Sequence, residues 1–162
     1  MTNSDSWIKP YEIRINSSLE SFLPKDKSIL SEAIRYSVLN GGKRLRPLLV
    51  YLSSELGTSS QKAQDSVSCA VELIHCYSLV HDDLPSMDDD SLRRGLPTCH
   101  KKYGEAVAIL AGDALQPLAY NCLTSCRDIE DQIKVKLTSL LASACGQEGM
   151  VRGQILDITS EN

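Results

Sequence analysis

Apolar residues recur every three or four positions through most of this sequence, which is the spacing that places side chains on one face of an α-helix. The first such segment runs from Trp7 to Phe22 and carries Ile8, Tyr11, Ile15 and Leu19 at this interval. No sustained alternation of apolar and polar residues, the pattern of a half-buried strand, occurs in the sequence. Aromatic residues make up only 5%, so the core must consist mainly of Leu, Ile, Val and Ala. The sequence therefore predicts an all-α fold.

Proline and glycine residues mark the ends of the predicted helices. Pro24 ends the first helix, the Gly41-Gly42 pair ends the second, and Gly57 ends the third. A chain of 162 residues is long enough for one domain with a core of its own. The helices are predicted over about residues 7–22, 26–40, 44–56, 61–83, 105–125 and 128 to the end of the sequence, with a polar stretch at 88–98.

Charge and cysteine content exclude several classes of function. The net charge of −4 argues against bulk electrostatic binding to nucleic acid, which needs a basic surface. The first six residues lack the basic and apolar segments of a signal peptide, and no apolar run approaches the roughly 20 residues of a membrane span. The six cysteines form no C-x-x-C pair, so we expect buried, reduced thiols in a cytoplasmic protein. No ligand spacing supports a zinc site at Cys99, His100 or His75.

The most informative segment is acidic. Five aspartates fall within the nine residues 82–90, and no Lys or Arg lies among them. Most acidic runs are solvated surface loops. This one follows an apolar helix, however, and Leu84, Pro85 and Met87 lie between the acids. Carboxylates at the end of a buried helix favour a multivalent cation, and hard oxygen ligands suit Mg²⁺, which also binds phosphate oxygens.

The spacing of the acids predicts a turn. Asp82 and Asp88 are six residues apart, which would separate them by about 120° on an unbroken helix. Pro85 interrupts the helix between them and disfavours helical geometry at the residue before it. We therefore expect the helix to end near Asp83 and the chain to turn so that Asp88 comes back toward Asp82. Spacing alone does not choose among the three aspartates 88–90.

Two short basic segments flank the acidic run. In the segment 41–47, Lys43 and Arg46 would share one face of a starting helix, while Arg44 would point elsewhere. This arrangement is either a phosphate cradle at a helix N-terminus or an ordinary charged helix start. Arg93 and Arg94 follow shortly after the acids. They either neutralise the acids or hold two different phosphates, since adjacent side chains diverge.

Two residues of the helix before the acids also stand out. His75 lies seven residues before Asp82, two helical turns away on the same face, although a lone histidine in an apolar helix is more often a core residue. Tyr77 lies five residues before Asp82, and on the sequence alone it is best interpreted as core.

Taken together, these segments resemble the trans-isoprenyl diphosphate synthase family, most closely its bacterial members that form farnesyl diphosphate. The resemblance covers nearly the whole chain. It is carried by residues 42–47, 72–75, 82–98, 104, 112–113 and 149–157.

The resemblance implies an all-α helical bundle around a central cavity, of which residues 1–162 would be the N-terminal portion of a single polyprenyl synthetase domain. It implies a Mg²⁺-dependent condensation of isopentenyl diphosphate with an allylic diphosphate, and a homodimer. It further implies roles for single residues: Asp82 and Asp88 bind Mg²⁺ and Asp83 supports them; Arg93 holds the allylic diphosphate; Lys43, Arg46, His75 and Arg94 hold isopentenyl diphosphate; Gln154 and Asp157 line the cavity; Tyr77 and Ser78 set the product length, here expected to be farnesyl diphosphate.

The family's second aspartate-rich motif and a downstream lysine do not occur in these 162 residues. We therefore expect this polypeptide alone to be inactive or nearly so and to self-associate through apolar faces. Two alternatives are a non-catalytic relative or partner subunit, and a fragment of a terpene cyclase. The basic residues predicted for isopentenyl diphosphate argue against a cyclase, which ionises one substrate and needs no such site.

Overall fold

The computed structural model describes residues 5–160, and most of them are helical, as the sequence predicts. A two-stranded antiparallel hairpin lies between the fourth and fifth helices, with Leu92 opposite Pro97 and Arg93 opposite Leu96. The elements are α1 (Asp5–Phe22), α2 (Ile29–Leu39), α3 (Leu45–Ser54), α4 (Gln61–Asp82), β1 (Leu92–Arg93), β2 (Leu96–Pro97), α5 (Cys99–Tyr103), α6 (Glu105–Thr124), α7 (Asp131–Cys145) and α8 (Met150–Ser160).

Side-chain caps fix where two of these helices begin. The hydroxyl oxygen of Ser28 accepts a hydrogen bond from the amide of Ser31 at the start of α2, and that of Ser60 accepts from Ala63 at the start of α4, each at 3.2 Å. These bonds satisfy backbone donors that the first helical turn leaves unpaired. The beginning of α4 is therefore determined locally, far along the helix from the acidic run that starts at Asp82.

The core is centred on α4 and α6, which pack against each other more extensively than any other pair of helices in residues 5–160. The helices α1, α2 and α3 also pack against α4. Small side chains allow the central pair to approach closely, since Ala70 of α4 and Ala108, Ala111 and Ala119 of α6 have no exposed surface. This packing holds the C-terminal end of α4, where the acids begin, in a fixed position.

The composition of α6 is that of a core helix. It is the one helix in the described part of the chain that is long and apolar enough to cross a membrane by length and composition. A buried helix of a globular protein passes the same test, and α6 packs against α2, α4, α5 and α7. Packing in the core accounts for the apolar residues on its buried face, whereas Ile109 and Leu110 are exposed.

The predicted continuous helix from residue 128 onward is wrong. The chain instead forms α7 and α8, separated at Gly146 and Gly149. A Cβ atom at Gly149 would overlap the carbonyl oxygen of Ala144, so this tight break depends on glycine. The polar stretch 88–98 also contains the short hairpin, whose two-residue strands are too short to produce a visible alternation.

The last two helices are mostly exposed. Cys145 is the one buried residue of α7, and α8 buries none of its residues. Several large apolar side chains on them are exposed to solvent, namely Ile133, Val135, Leu140, Val151, Ile155, Leu156 and Ile158.

Candidate functional site

The acidic segment forms the turn that its spacing predicts. The helix α4 ends at Asp82, and the amide of Asp88 donates a 2.9 Å hydrogen bond to the carbonyl oxygen of Asp82. The amides of Met87 and Asp89 both donate to the carbonyl oxygen of Leu84, at 2.9 and 3.1 Å. These bonds close the chain around the break that Pro85 introduces and bring Asp88 next to Asp82.

The carboxylates of Asp82 and Asp88 are free to act as oxygen ligands of a cation. Asp82 is half-buried and Asp88 is exposed, and neither forms an ion pair with another described residue. Burial raises the pKa of Asp82, and the neighbouring Asp88 and Asp83 carboxylates raise it further. A cation would relieve this repulsion. Within residues 5–160 no three acidic, histidine or cysteine side chains converge on one point, so two carboxylates would leave most positions of a Mg²⁺ ion to water and phosphate oxygens, which is how Mg²⁺ is usually held.

Arg93 reaches back to the acids from the hairpin. Its Nε donates to the Oδ1 of Asp83 at 2.8 Å, and its Nη2 donates to the Oδ2 of Asp90 at 3.1 Å. Burial raises the pKa of Asp83, which is 3% exposed, and the hydrogen bonds from Arg93 oppose that rise. The Nη1 of Arg93 has no hydrogen-bond partner among the described residues.

Arg94 points the other way. Its Nη1 donates to the carbonyl oxygen of Gly41, in the loop between α2 and α3. A Cβ atom at Gly42 would lie only 2.6 Å from the Arg94 Cζ, and the φ angle of +119° at Gly42 is one that L-residues rarely adopt. Glycine at this position therefore lets the guanidinium lie against the loop backbone. The two adjacent arginines diverge, one to the acidic turn (residues 82–90) and one to the glycine loop (residues 40–44).

The arginine between the two predicted basic residues turns inward. Arg44 donates to the Oε1 of Glu72 at 2.7 Å, to the carbonyl oxygen of Val38 at 2.7 Å and to the Oδ1 of Asn16 at 3.1 Å. It does point elsewhere than Lys43 and Arg46, both of which are exposed. Neither Arg44 nor Glu72 is among the site residues predicted from the sequence. A glutamate inside an otherwise apolar stretch of α4 was the available signal.

His75 lies in a basic environment. Burial lowers the pKa of its imidazole, and so do the nearby charges of Arg46, Arg94 and Arg44, while Glu72 opposes them. Two of the other three residues predicted to bind isopentenyl diphosphate, Arg46 and Arg94, thus lie close enough to His75 to affect its charge. The fourth, Lys43, is exposed on the same loop.

The two residues predicted to set product length lie on α4 below the acidic turn. Tyr77 is 7% exposed, and its ring meets that of His81 edge-on at 5.8 Å between centroids. Burial raises the pKa of Tyr77, with further contributions from Cys145 and Asp82. The hydroxyl of Ser78 donates to the carbonyl oxygen of His75 at 3.0 Å and so bonds its own helix.

The predicted cavity residues on α8 remain apart from these groups. Gln154 is half-buried and Asp157 is exposed, and α8 packs mainly against α7. Neither side chain forms a hydrogen bond or ion pair with another described residue. Their assignment stays a prediction.

The chain is similar to known proteins over most of its length, in sequence and in structure. The family described as Polyprenyl synthetase matches residues 27–162. The farnesyl diphosphate synthase of Escherichia coli (strain K12) is 50% identical over 151 residues, covering 90% of this chain and 50% of that protein, and that of Haemophilus influenzae is 46% identical over 158 residues, covering 96% and 54%. A crystal structure of an FPP/GFPP synthase from Zymomonas mobilis superposes with a TM-score of 0.93 at 41% identity, covering 99% of this chain and 59% of that one. The chain spans about half the length of the curated relatives it matches.

Proposed function

The chain belongs to the polyprenyl synthetase family, and from this premise we propose that it carries the diphosphate-binding half of a trans-prenyltransferase. Such an enzyme joins an allylic diphosphate, dimethylallyl or geranyl, to isopentenyl diphosphate. We further propose farnesyl diphosphate as the product and isoprenoid biosynthesis as the setting.

The observation that carries this proposal is the divergence of Arg93 and Arg94. One guanidinium lies at the acidic turn and the other at the glycine loop. Two diphosphates that react with each other need two separate anion sites, one that promotes departure of the diphosphate and one that does not. Arg93 and Arg94 place one positively charged guanidinium at each of these two sites.

The acidic turn is the proposed allylic site. Asp82 and Asp88 would hold Mg²⁺ there, and bound Mg²⁺ supplies positive charge that stabilises the diphosphate as it leaves. The free Nη1 of Arg93 is available to the same diphosphate, while its Nε and Nη2 are held by Asp83 and Asp90. Contacts that strengthen as charge develops on the leaving group favour the transition state over the bound substrate.

The basic cluster is the proposed isopentenyl diphosphate site. Lys43, Arg46, His75 and Arg94 contribute cations or donors, and the carboxylate that acts on His75, that of Glu72, is already paired with Arg44. Without free carboxylates the cluster attracts a diphosphate but does not recruit a metal to it. That substrate stays intact while its alkene is positioned to attack the allylic carbon. A second, metal-free diphosphate site of this kind supports the proposal of a prenyltransferase rather than a terpene cyclase, which needs no such site.

We also propose that Tyr77, with Ser78 beside it, forms the floor against which the growing tail stops, and that Gln154 and Asp157 line the same cavity. The exposed apolar residues of α7 and α8 support association into a homo-oligomer. The six free, buried cysteines support a cytoplasmic location.

The proposal is tested by titrating the chain with geranyl diphosphate by calorimetry, with and without Mg²⁺. We expect Mg²⁺-dependent binding that Asp82→Asn and Asp88→Asn abolish. Asp131→Asn is the matched control, because Asp131 is exposed and lies near the opposite end of α4, about 30 Å away for a helix of this length. We expect little or no product from this chain with isopentenyl diphosphate, since one aspartate motif alone stabilises the leaving diphosphate poorly. Absence of metal-dependent binding would refute the proposed function.

A further inference from the structure

A pair of buried polar side chains lies at the open end of the hairpin, just after β2. Thr98 follows β2 and is 2% exposed, and His100 in α5 is 6% exposed. The Thr98 hydroxyl donates to the carbonyl oxygen of Asp90 at 2.8 Å and lies 3.1 Å from the Nδ1 of His100. Neither residue has a place in the mechanism above.

The pattern of these bonds favours one tautomer of the neutral imidazole. A threonine hydroxyl has one hydrogen, and the carbonyl oxygen of Asp90 can only accept, so that hydrogen is used there. The Thr98 oxygen must then accept from His100, which requires a proton on Nδ1. The Nε2 of His100 is buried and has no hydrogen-bond partner among the described residues. A bare lone pair on Nε2 is therefore better accommodated than an N–H.

Thr98 itself closes the loop that carries both arginines, and His100 reaches that loop only through Thr98. The amide of Thr98 donates to the carbonyl oxygen of Ser91 at 3.1 Å, one residue after the Asp90 carbonyl that receives its hydroxyl. Residues 90 and 91 are thus joined to residue 98 by one side-chain and one backbone bond. Arg93 and Arg94 both lie inside this closed loop.

We propose that His100 and Thr98 are positioning residues, a hydrogen-bonded relay from imidazole to hydroxyl to the Asp90 carbonyl that holds the hairpin closed and so keeps Arg93 and Arg94 directed to their two sites. The importance of those two arginines rests on the proposed function. The relay itself rests only on the geometry of residues 90–100, so the two are tested separately.

The relay is tested by the ring nitrogens of His100. In ¹⁵N-labelled chain at pH 7.5, long-range proton–nitrogen correlation should show His100 as the Nδ1–H tautomer, with an unprotonated Nε2. Its signals are assigned by their loss in His100→Asn. An Nε2–H tautomer at His100 would overturn the relay, because Nδ1 would then have no proton to donate to Thr98.

Positioning is tested by binding of inorganic pyrophosphate with Mg²⁺ and by hydrogen exchange at the Thr98 amide. We expect Thr98→Val to weaken binding ~10-fold, as loss of a residue that orients a ligand-binding group does, and to speed exchange at position 98, while Thr98→Ser preserves both. Thr124→Val is the control, since that hydroxyl also donates to a backbone carbonyl, at 3.0 Å, but on exposed α6 surface.

A second pair of variants avoids dependence on one substitution. The side-chain nitrogen of asparagine is the same number of bonds from Cβ as the Nδ1 of histidine, whereas that of glutamine is one bond further. His100→Asn should therefore retain pyrophosphate binding better than His100→Gln. Equal binding by Thr98→Val and by the unsubstituted chain, or by the two His100 variants, would overturn the positioning role. If the unsubstituted chain binds no pyrophosphate, the proposed function and the positioning role both fail, and the tautomer still decides the relay.

Discussion

The guanidinium of Arg44 donates to the carboxylate of Glu72 at 2.7 Å, and both side chains are only 2% exposed. Arg44 has a φ angle of 48° and immediately precedes α3, whereas Glu72 lies one helical turn before His75 on α4. The buried pair therefore fixes the start of α3 to the middle of α4. In doing so it sets the positions of Lys43 and Arg46 relative to His75.

Removing the charge of Glu72 should destabilise the protein strongly. Glu72→Gln leaves the Arg44 guanidinium buried without a counter-ion, which typically costs about 3–5 kcal/mol. Urea denaturation followed by circular dichroism measures the change in the free energy of unfolding. Glu148→Gln is the control, because the Glu148–Arg152 pair is exposed and such pairs contribute about 1 kcal/mol at most. Similar effects of the two substitutions would contradict a structural role for the buried pair.

Substitutions of the adjacent glycines Gly41 and Gly42 distinguish the effect of backbone strain from the effect of a clash with Arg94. Both have positive φ angles, but a Cβ atom at Gly42 would overlap the Arg94 guanidinium, whereas one at Gly41 would meet no atom within 4 Å. We expect Gly41→Ala and Gly42→Ala to lower the melting temperature by comparable amounts. Only Gly42→Ala should also weaken binding of isopentenyl diphosphate, by ~10-fold, about the energy of one charge-assisted hydrogen bond. Equal affinities for the two variants would show that Arg94 does not hold this ligand from its position beside Gly42.

Much of the fold could be predicted from the sequence because proline and glycine residues mark most of the helix ends. Pro24, the Gly41-Gly42 pair and Pro85 each end a run of helical periodicity, and the observed helices end within a few residues of them. The break between α7 and α8 was missed because the two glycines there, at 146 and 149, lie within a region whose apolar residues continue at helical spacing on both sides.

The sequence predicted which residues form the candidate site but not which residues they bond to. The turn that joins Asp82 and Asp88 followed from the proline between them, which is a local constraint. The partners of Arg93 and Arg94 depend on how the hairpin docks against α2 and α4, and this is a tertiary contact that periodicity does not encode. The inward turn of Arg44 depends likewise on Glu72, 28 residues away. The roles of Gln154 and Asp157 remain predictions.

Diphosphate binding at the basic cluster should take up a proton. Burial and nearby arginines hold the pKa of His75 below its ordinary value of 6.5. A bound anion favours the imidazolium and raises that pKa, so protonation accompanies binding near pH 6 and affinity rises as pH falls from 8 to 6. Calorimetry of isopentenyl diphosphate in buffers of different ionisation enthalpy measures the uptake. His75→Gln should abolish it, and undiminished uptake in that variant would assign the proton to another group.

The same pKa shift predicts a pH-dependent stability without ligand. The folded pKa of His75 is lowered, so the unfolded chain binds more protons below pH 6.5, and stability is lost as pH falls through that value toward the folded pKa. In His75→Gln this part of the pH dependence disappears. Melting temperatures measured from pH 8 to pH 5.5 for both proteins give the difference, and parallel curves would count against a buried, neutral His75.

Substitutions of Tyr77 test whether this residue forms the floor of the allylic pocket and thereby sets the product length. Its ring is buried on α4 five residues before Asp82, and the proposed role requires the prenyl tail to run along α4 in that direction from the acidic turn. Tyr77→Ala opens space for further methylene groups, each worth about 0.8 kcal/mol when buried, so the affinity ratio of geranylgeranyl to geranyl diphosphate should rise at least ~10-fold. Calorimetry with Mg²⁺ measures both affinities, and Tyr77→Phe, which keeps the ring, should leave the ratio unchanged. If Tyr77→Ala lowers the melting temperature but leaves the ratio unaltered, Tyr77 is a core residue and the floor lies elsewhere.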